Sequence, residues 1–141
     1  MSRKDDRIWV VKYAYEMEIK HDFSEKSMKS FIKNHNLKNI SEEYFVNSME
    51  NLIRNLSKID EVIKKISKTW SYSRISKVDL AILRVAINEI MFIDIPESVA
   101  INEAVKISKE YSTKDSYKFI NDVLRSFVRQ RIGRASCRER V

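Results

Sequence analysis

The chain has 141 residues, 43% of them hydrophobic and 33% charged, with one cysteine and a net charge of +7. Those values suit one soluble folded domain; they exclude a disulfide framework, and no apolar run approaches the ~20 residues that cross a membrane. The excess of 27 basic over 20 acidic residues favours a polyanionic partner such as nucleic acid, without separating RNA from DNA.

Glycine is the most informative count. A chain this long usually carries about ten, and here there is one, with one proline. Both Gly133 and the single cysteine, Cys137, fall in the last ten residues, "IGRASCRERV". That tail lacks the periodicity of the body and resembles a translated sequencing adapter. We therefore read residues 1–131 as one helical domain and 132–141 as a non-native-looking tail, which leaves the true C-terminus beyond Arg131 open. The tail holds three Arg and one Glu, so the body keeps a charge of +5.

A body without glycine has few places for tight hairpin turns, which need positive φ, so the expected fold class is all-α. In chain order, helices are predicted over 4–20, 24–34, 41–68 with a break near Ser57, 77–92, 97–110 and 115–130. Ser2 with Asp5, Ser76 with Asp79, and Ser112 with Asp115 have capping-box spacing, and Pro96 suits a first turn. The opening "MSRKDDRIWVV" shows no secretory signal, so a cytoplasmic location is expected.

Helical wheels assign the faces. Leu80, Leu83, Ala86, Ile87 and Ile90 share one side of the 77–92 helix, and Val78, Ala81, Ile82, Val85 and Phe92 cover most of the other. This helix is expected to be central. Arg84 and Asn88 are four apart and can meet, and Arg84 reads as a structural ion pair near the core. In "SVAINEAVKIS", Asn102 and Glu103 flank the apolar arc on opposite margins. Adjacent helical residues diverge by about 100°, so they do not converge as an acid/base pair and read as braces. In the last helix Phe119 falls outside the arc of Tyr117, Ile120, Val123, Leu124, Phe127 and Val128. It reads either as a contact for a neighbouring helix or partner, or as a stacking platform for an unpaired base.

Catalytic chemistry finds little support. His21 and His35 have no cysteine in the body to join them in a zinc or thiol site, and the chain lacks the glycines of a phosphate cradle. No cofactor or metal is expected, and an enzyme is the less favoured class.

Three stretches combine: "ISKVDLAILRVAINEI" at 75–90, "IPESVAINEAVKISKEY" at 95–111 and "KDSYKFINDVL" at 114–124. Together they resemble the NusB family of transcription antitermination factors, and "SRKDDRIWVVKYAYE" fits that family's basic first helix more loosely. The resemblance implies two small packed helical bundles of about six to seven helices, and a non-catalytic role. Family members pair with NusE, a protein of the small ribosomal subunit, and bind single-stranded boxA RNA. The complex modifies RNA polymerase for read-through of ribosomal RNA operons. Carried over by motif, Arg3, Lys4 and Arg7 are candidate phosphate contacts, and Asp115, Ser116, Lys118 and Phe119 are candidates near RNA. Tyr15, Glu16 and Glu89 are candidates for the NusE contact, and Arg84, Asn102, Glu103 and Asn121 form a structural signature. Two departures, Asp122 where the family usually has glycine and Asp5 and Asp6 in a usually Arg-rich terminus, lower the expected affinity for RNA. Two alternatives stay open: an RNA-positioning module of a ribosomal RNA cytosine methyltransferase from a truncated gene, and a protein-only helical adaptor. Some family members dimerise when free.

Overall fold

The structure, a computed structural model, describes residues 3–35, 42–67 and 72–139, with side chains over 4–35, 43–67 and 72–131. Seven α-helices account for most of this: α1 (Arg3–Lys20), α2 (Glu25–Asn34), α3 (Glu42–Arg54), α4 (Leu56–Ile66), α5 (Lys77–Phe92), α6 (Glu97–Tyr111) and α7 (Ser116–Glu139), with a 3-10 turn at Tyr72–Arg74. No strand occurs among the described residues. The all-α expectation holds.

α5 is the axis. Every residue from Asp79 to Ile90 is buried, and the helix packs against α1, α3, α4, α6 and α7. A helix apolar on both sides can be stable only when surrounded, and the other elements supply that surround. One hydrophobic cluster runs from Ile8 and Tyr13 in α1 through Phe45, Met49 and Leu52 in α3 to Ile120, Val123 and Leu124 in α7. The N-terminal and C-terminal helices thus share a single core through α5. Phe31 stacks on Phe45, with centroids 5.9 Å apart and an interplanar angle of 4°.

Local chemistry sets the boundaries. Ser76 caps α5 as predicted, its hydroxyl accepting from the Asp79 N–H at 3.1 Å. Ser24 does the same for α2, accepting from Ser27 N–H at 3.2 Å. The break in the third predicted helix falls at Asn55, two residues before the expected Ser57, where the Asn55 side-chain amide bonds the Asn51 carbonyl at 2.9 Å. Ser2, a predicted cap, lies outside the described residues. With no glycine in the body, left-handed positions fall to other residues: His21 (φ 53) ends α1 and Asp94 (φ 59) follows α5. At each, an N–H reaches back across the last turn, Asp22 to Met17 O at 3.2 Å and Ile95 to Glu89 O at 3.1 Å. α7 continues past Arg131, so the backbone of the tail extends the last helix through Glu139.

Candidate nucleic-acid interface

Charged side chains divide into two populations. The first turns inward. Arg7, predicted as a phosphate contact, is buried, and its guanidinium grips the Glu89 carboxylate in a fork, Nε to Oε1 at 2.8 Å and Nη2 to Oε2 at 2.9 Å. The Tyr44 hydroxyl donates to the same carboxylate at 3.4 Å, and Glu103 Oε2 stands 3.9 Å from Arg7 Nη1. Burial alone would lower the Arg7 guanidinium, but the hydrogen bonds and charge of Glu89 outweigh it and hold the group above its ordinary value. Two expectations are therefore corrected: Arg7 is committed to an interior ion pair, and Glu89, 1% exposed, presents nothing for a partner protein to touch. The signal was present, since Arg7 shares a wheel face with Val11 and Ala14.

Arg84 behaves as predicted, forming a buried ion pair: its fork bonds Asp60 at 2.8 and 2.9 Å, and Glu18 lies at 3.3 Å. It does not meet Asn88, whose amide donates instead to the Ser48 carbonyl at 3.2 Å. Glu103 braces α6 against α1 through Arg7 and pairs with Lys106 at 3.6 Å, while Asn102 is exposed.

The second population faces solvent around the C-terminal end of α6, the first turns of α7 and the outer face of α1. Lys12 Nζ lies 4.5 Å from the Trp9 ring and 5.3 Å from Tyr111, which is 41% exposed. Lys109 and Lys118 approach the Tyr117 ring at 4.8 and 5.9 Å. Lys4 is exposed on the first turn of α1. Burial first, then the negative charges of Glu110 and Asp5, raise the Tyr111 hydroxyl above its usual range, so the start of α1 and the end of α6 share one electrostatic neighbourhood. Interleaved cations and aromatic rings of this kind suit phosphates and unstacked bases. The sequence reading missed Lys12, Lys109, Tyr111 and Tyr117, because the contacts join different helices; only Trp9 and Lys12, three apart, carried a local signal.

The loop between α6 and α7 is fastened from below. The Asp79 carboxylate, on the first turn of α5, accepts from Ser112 at 2.6 Å and from Ser116 at 3.1 Å. Ser112 is thus a tie to α5 at the end of α6, where a helix start was expected. Ser116, a predicted RNA contact, is buried and spent on Asp79 and on Thr113 at 2.6 Å, a second correction of the same kind. Its position four, seven and eleven residues before Ile120, Val123 and Phe127 puts it on the core face. Asp115 and Lys118 stay exposed. Phe119 is half-buried and packed against the core, so the wheel's placement of it off the core holds only for its outer edge. Asn121 accepts from Arg125 Nε at 3.0 Å. On the outer face of α1, Tyr15 is 39% exposed and Glu16 pairs with Lys20 at 3.4 Å. The side chain of Arg3 lies outside the described residues.

The NusB family model matches residues 4–129. The chain belongs to the NusB family. A transcription antitermination protein NusB of Finegoldia magna is 38% identical over 93% of this chain and 96% of that protein. Among solved structures, T. maritima NusB is 29% identical with a TM-score of 0.81, covering 92% of each chain. A chain from the crystal structure of the antitermination factors NusB and NusE in complex with dsRNA reaches 0.81 at 24% identity, over 91% of this chain and 96% of that one, a likeness of fold. The match to the family model stops two residues short of the unusual tail of this NusB-family chain. No helix among the described residues is long and apolar enough to cross a membrane.

Proposed function

We propose that this chain is an RNA-binding transcription antitermination factor that works in the cytoplasm without catalysing a reaction. It pairs with a NusE-type ribosomal protein and holds single-stranded boxA RNA, so that RNA polymerase reads through terminators on ribosomal RNA operons. The observation that carries this reading is the near full-length match to a curated antitermination protein. The geometry supports it with a rim of exposed Lys4, Lys12, Lys109 and Lys118 beside Trp9, Tyr111 and Tyr117. Phosphate contacts by the lysines supply affinity that falls with salt, and the rings supply stacking for splayed bases. Phe119, on the first turns of α7, offers its exposed edge to the same strand. The NusE contact is assigned to the outer face of α1 around Tyr15 and Glu16. Residues 1–131 act as the functional unit, with 132–141 as an addition.

The test is a titration of the protein, with and without a NusE partner, against boxA RNA and a scrambled RNA at two salt concentrations. Tighter binding of boxA in the presence of NusE is expected. Equal affinity for both RNAs would sink the assignment.

A further inference from the structure

The basic rim at the start of α7 does not stop at Lys118. Lys118, Asp122, Arg125 and Arg129 are all exposed, and their spacing of four, three and four residues stacks them within a stripe about 60° wide on one helix face. The stripe runs about 16 Å at 1.5 Å per residue. Beside it, α6 and α7 form an open groove of about 400 Å³ lined by Ile101, Asp122, Arg125, Val128 and Arg129.

Arg125 and Arg129 differ from Arg84 and Arg131. Arg84 is neutralised by Asp60 and Glu18, and Arg131 pairs with Glu97 at 4.0 Å and donates to the Ile90 carbonyl at 3.3 Å. Among the described residues Arg125 instead bonds the neutral Asn121, through Nε at 3.0 Å, and Arg129 the neutral Ser126, at 3.3 Å. Both are therefore oriented without being neutralised, and neither meets a carboxylate among the described residues. A guanidinium held by a neutral neighbour keeps its remaining N–H groups and full charge for a phosphate.

We propose that the α7 stripe, Lys118 through Arg125 and Arg129, with the α6–α7 groove, is a second phosphate track that carries nucleotides flanking the recognised RNA element. Charge complementarity and continuity with the rim at Lys118 select an RNA backbone as the occupant, and the apolar floor of Ile101 and Val128 accepts a sugar or base face. Asp122 interrupts the track with the wrong charge. The inference rests on the RNA-binding reading above and adds where the strand goes after it leaves the rim.

The test compares boxA RNA alone with boxA extended by about eight uridines at each end, a length within single-strand site sizes, in the presence of the NusE partner. The extension is expected to tighten binding to the unmodified protein. Arg125→Gln with Arg129→Gln is expected to leave the short RNA unchanged, to weaken the extended RNA about five- to tenfold, and to reduce its salt slope by ~1.4. Asp122→Asn moves the other way, strengthening the extended RNA about two- to threefold. If the extension brings no gain, or the gain survives in the double variant, the track is overturned while the rim assignment stands. If the short RNA itself does not bind, the function reading fails first. Loss of NusE binding in the double variant, with the RNA gain intact, would identify an acidic protein surface as the occupant and overturn the proposal.

Discussion

Arg7 and Lys118 both lie within the first two turns of a helix, both carry a positive charge, and serve opposite ends. Arg7 sits where α1 faces α5, so its charge must be matched inside and Glu89 matches it in two bonds. Lys118 sits where α7 faces solvent, its ammonium 5.9 Å from the centre of the Tyr117 ring. A buried charge is bound to one partner by the cost of leaving it unpaired, whereas an exposed one is free to exchange water for a ligand. Burial, more than residue type or position in a motif, decides which basic residues are available to RNA.

The sharpest way to break this contrast is Glu89→Ala. It strands the Arg7 guanidinium and is expected to cost about 3–5 kcal/mol in urea unfolding; the double change Arg7→Met with Glu89→Leu is expected to recover most of that loss. Asp79→Ala lies between the two regions, since Asp79 is buried yet fastens the loop that presents the rim. A loss of about 2 kcal/mol, with weaker boxA binding by fluorescence anisotropy, is expected. Phe119→Ala probes the boundary itself: for a half-buried ring the expected loss is about 1–2 kcal/mol, and RNA affinity falls about fivefold or more through the lost stacking. Lys118→Gln should leave stability within about 0.5 kcal/mol and lower the salt slope of RNA binding by ~0.7. A full unfolding of the Lys118 variant, or an unaffected Glu89 variant, would erase the division.

Much of the fold was legible in the sequence, because its signals are local. The absence of glycine from the body announced helices, the two-sided apolar pattern of 77–92 announced the central one, and Ser76 with Asp79 marked its start. The Asn55 break was misplaced by two residues because an asparagine bonding its own i−4 carbonyl leaves no periodic trace. The candidate site was less legible. Arg7 and Glu89 are 82 residues apart, and no spacing rule pairs them. Ser116 and Asp79 are 37 apart, so a hydroxyl in a family motif looked like a ligand contact until its partner was seen. The face rule would have caught both Arg7 and Ser116, since each lies on the apolar arc of its own helix. The residues that form the rim, Lys12 with Tyr111 and Lys109 with Tyr117, meet only after three helices have assembled.

The two buried arginine pairs also encode direction. Along α1 the order is Arg7 then Glu18, and along α5 it is Arg84 then Glu89, positive before negative in both. Arg7 meets Glu89 and Glu18 meets Arg84 only when the helices run head to tail. Laid parallel, the same four side chains would set cation against cation and anion against anion. Slid by one turn, about 5.4 Å, the forks would lose their carboxylates. The interior charges thus act as a polarity key that rejects the wrong docking of the first helix on the axis.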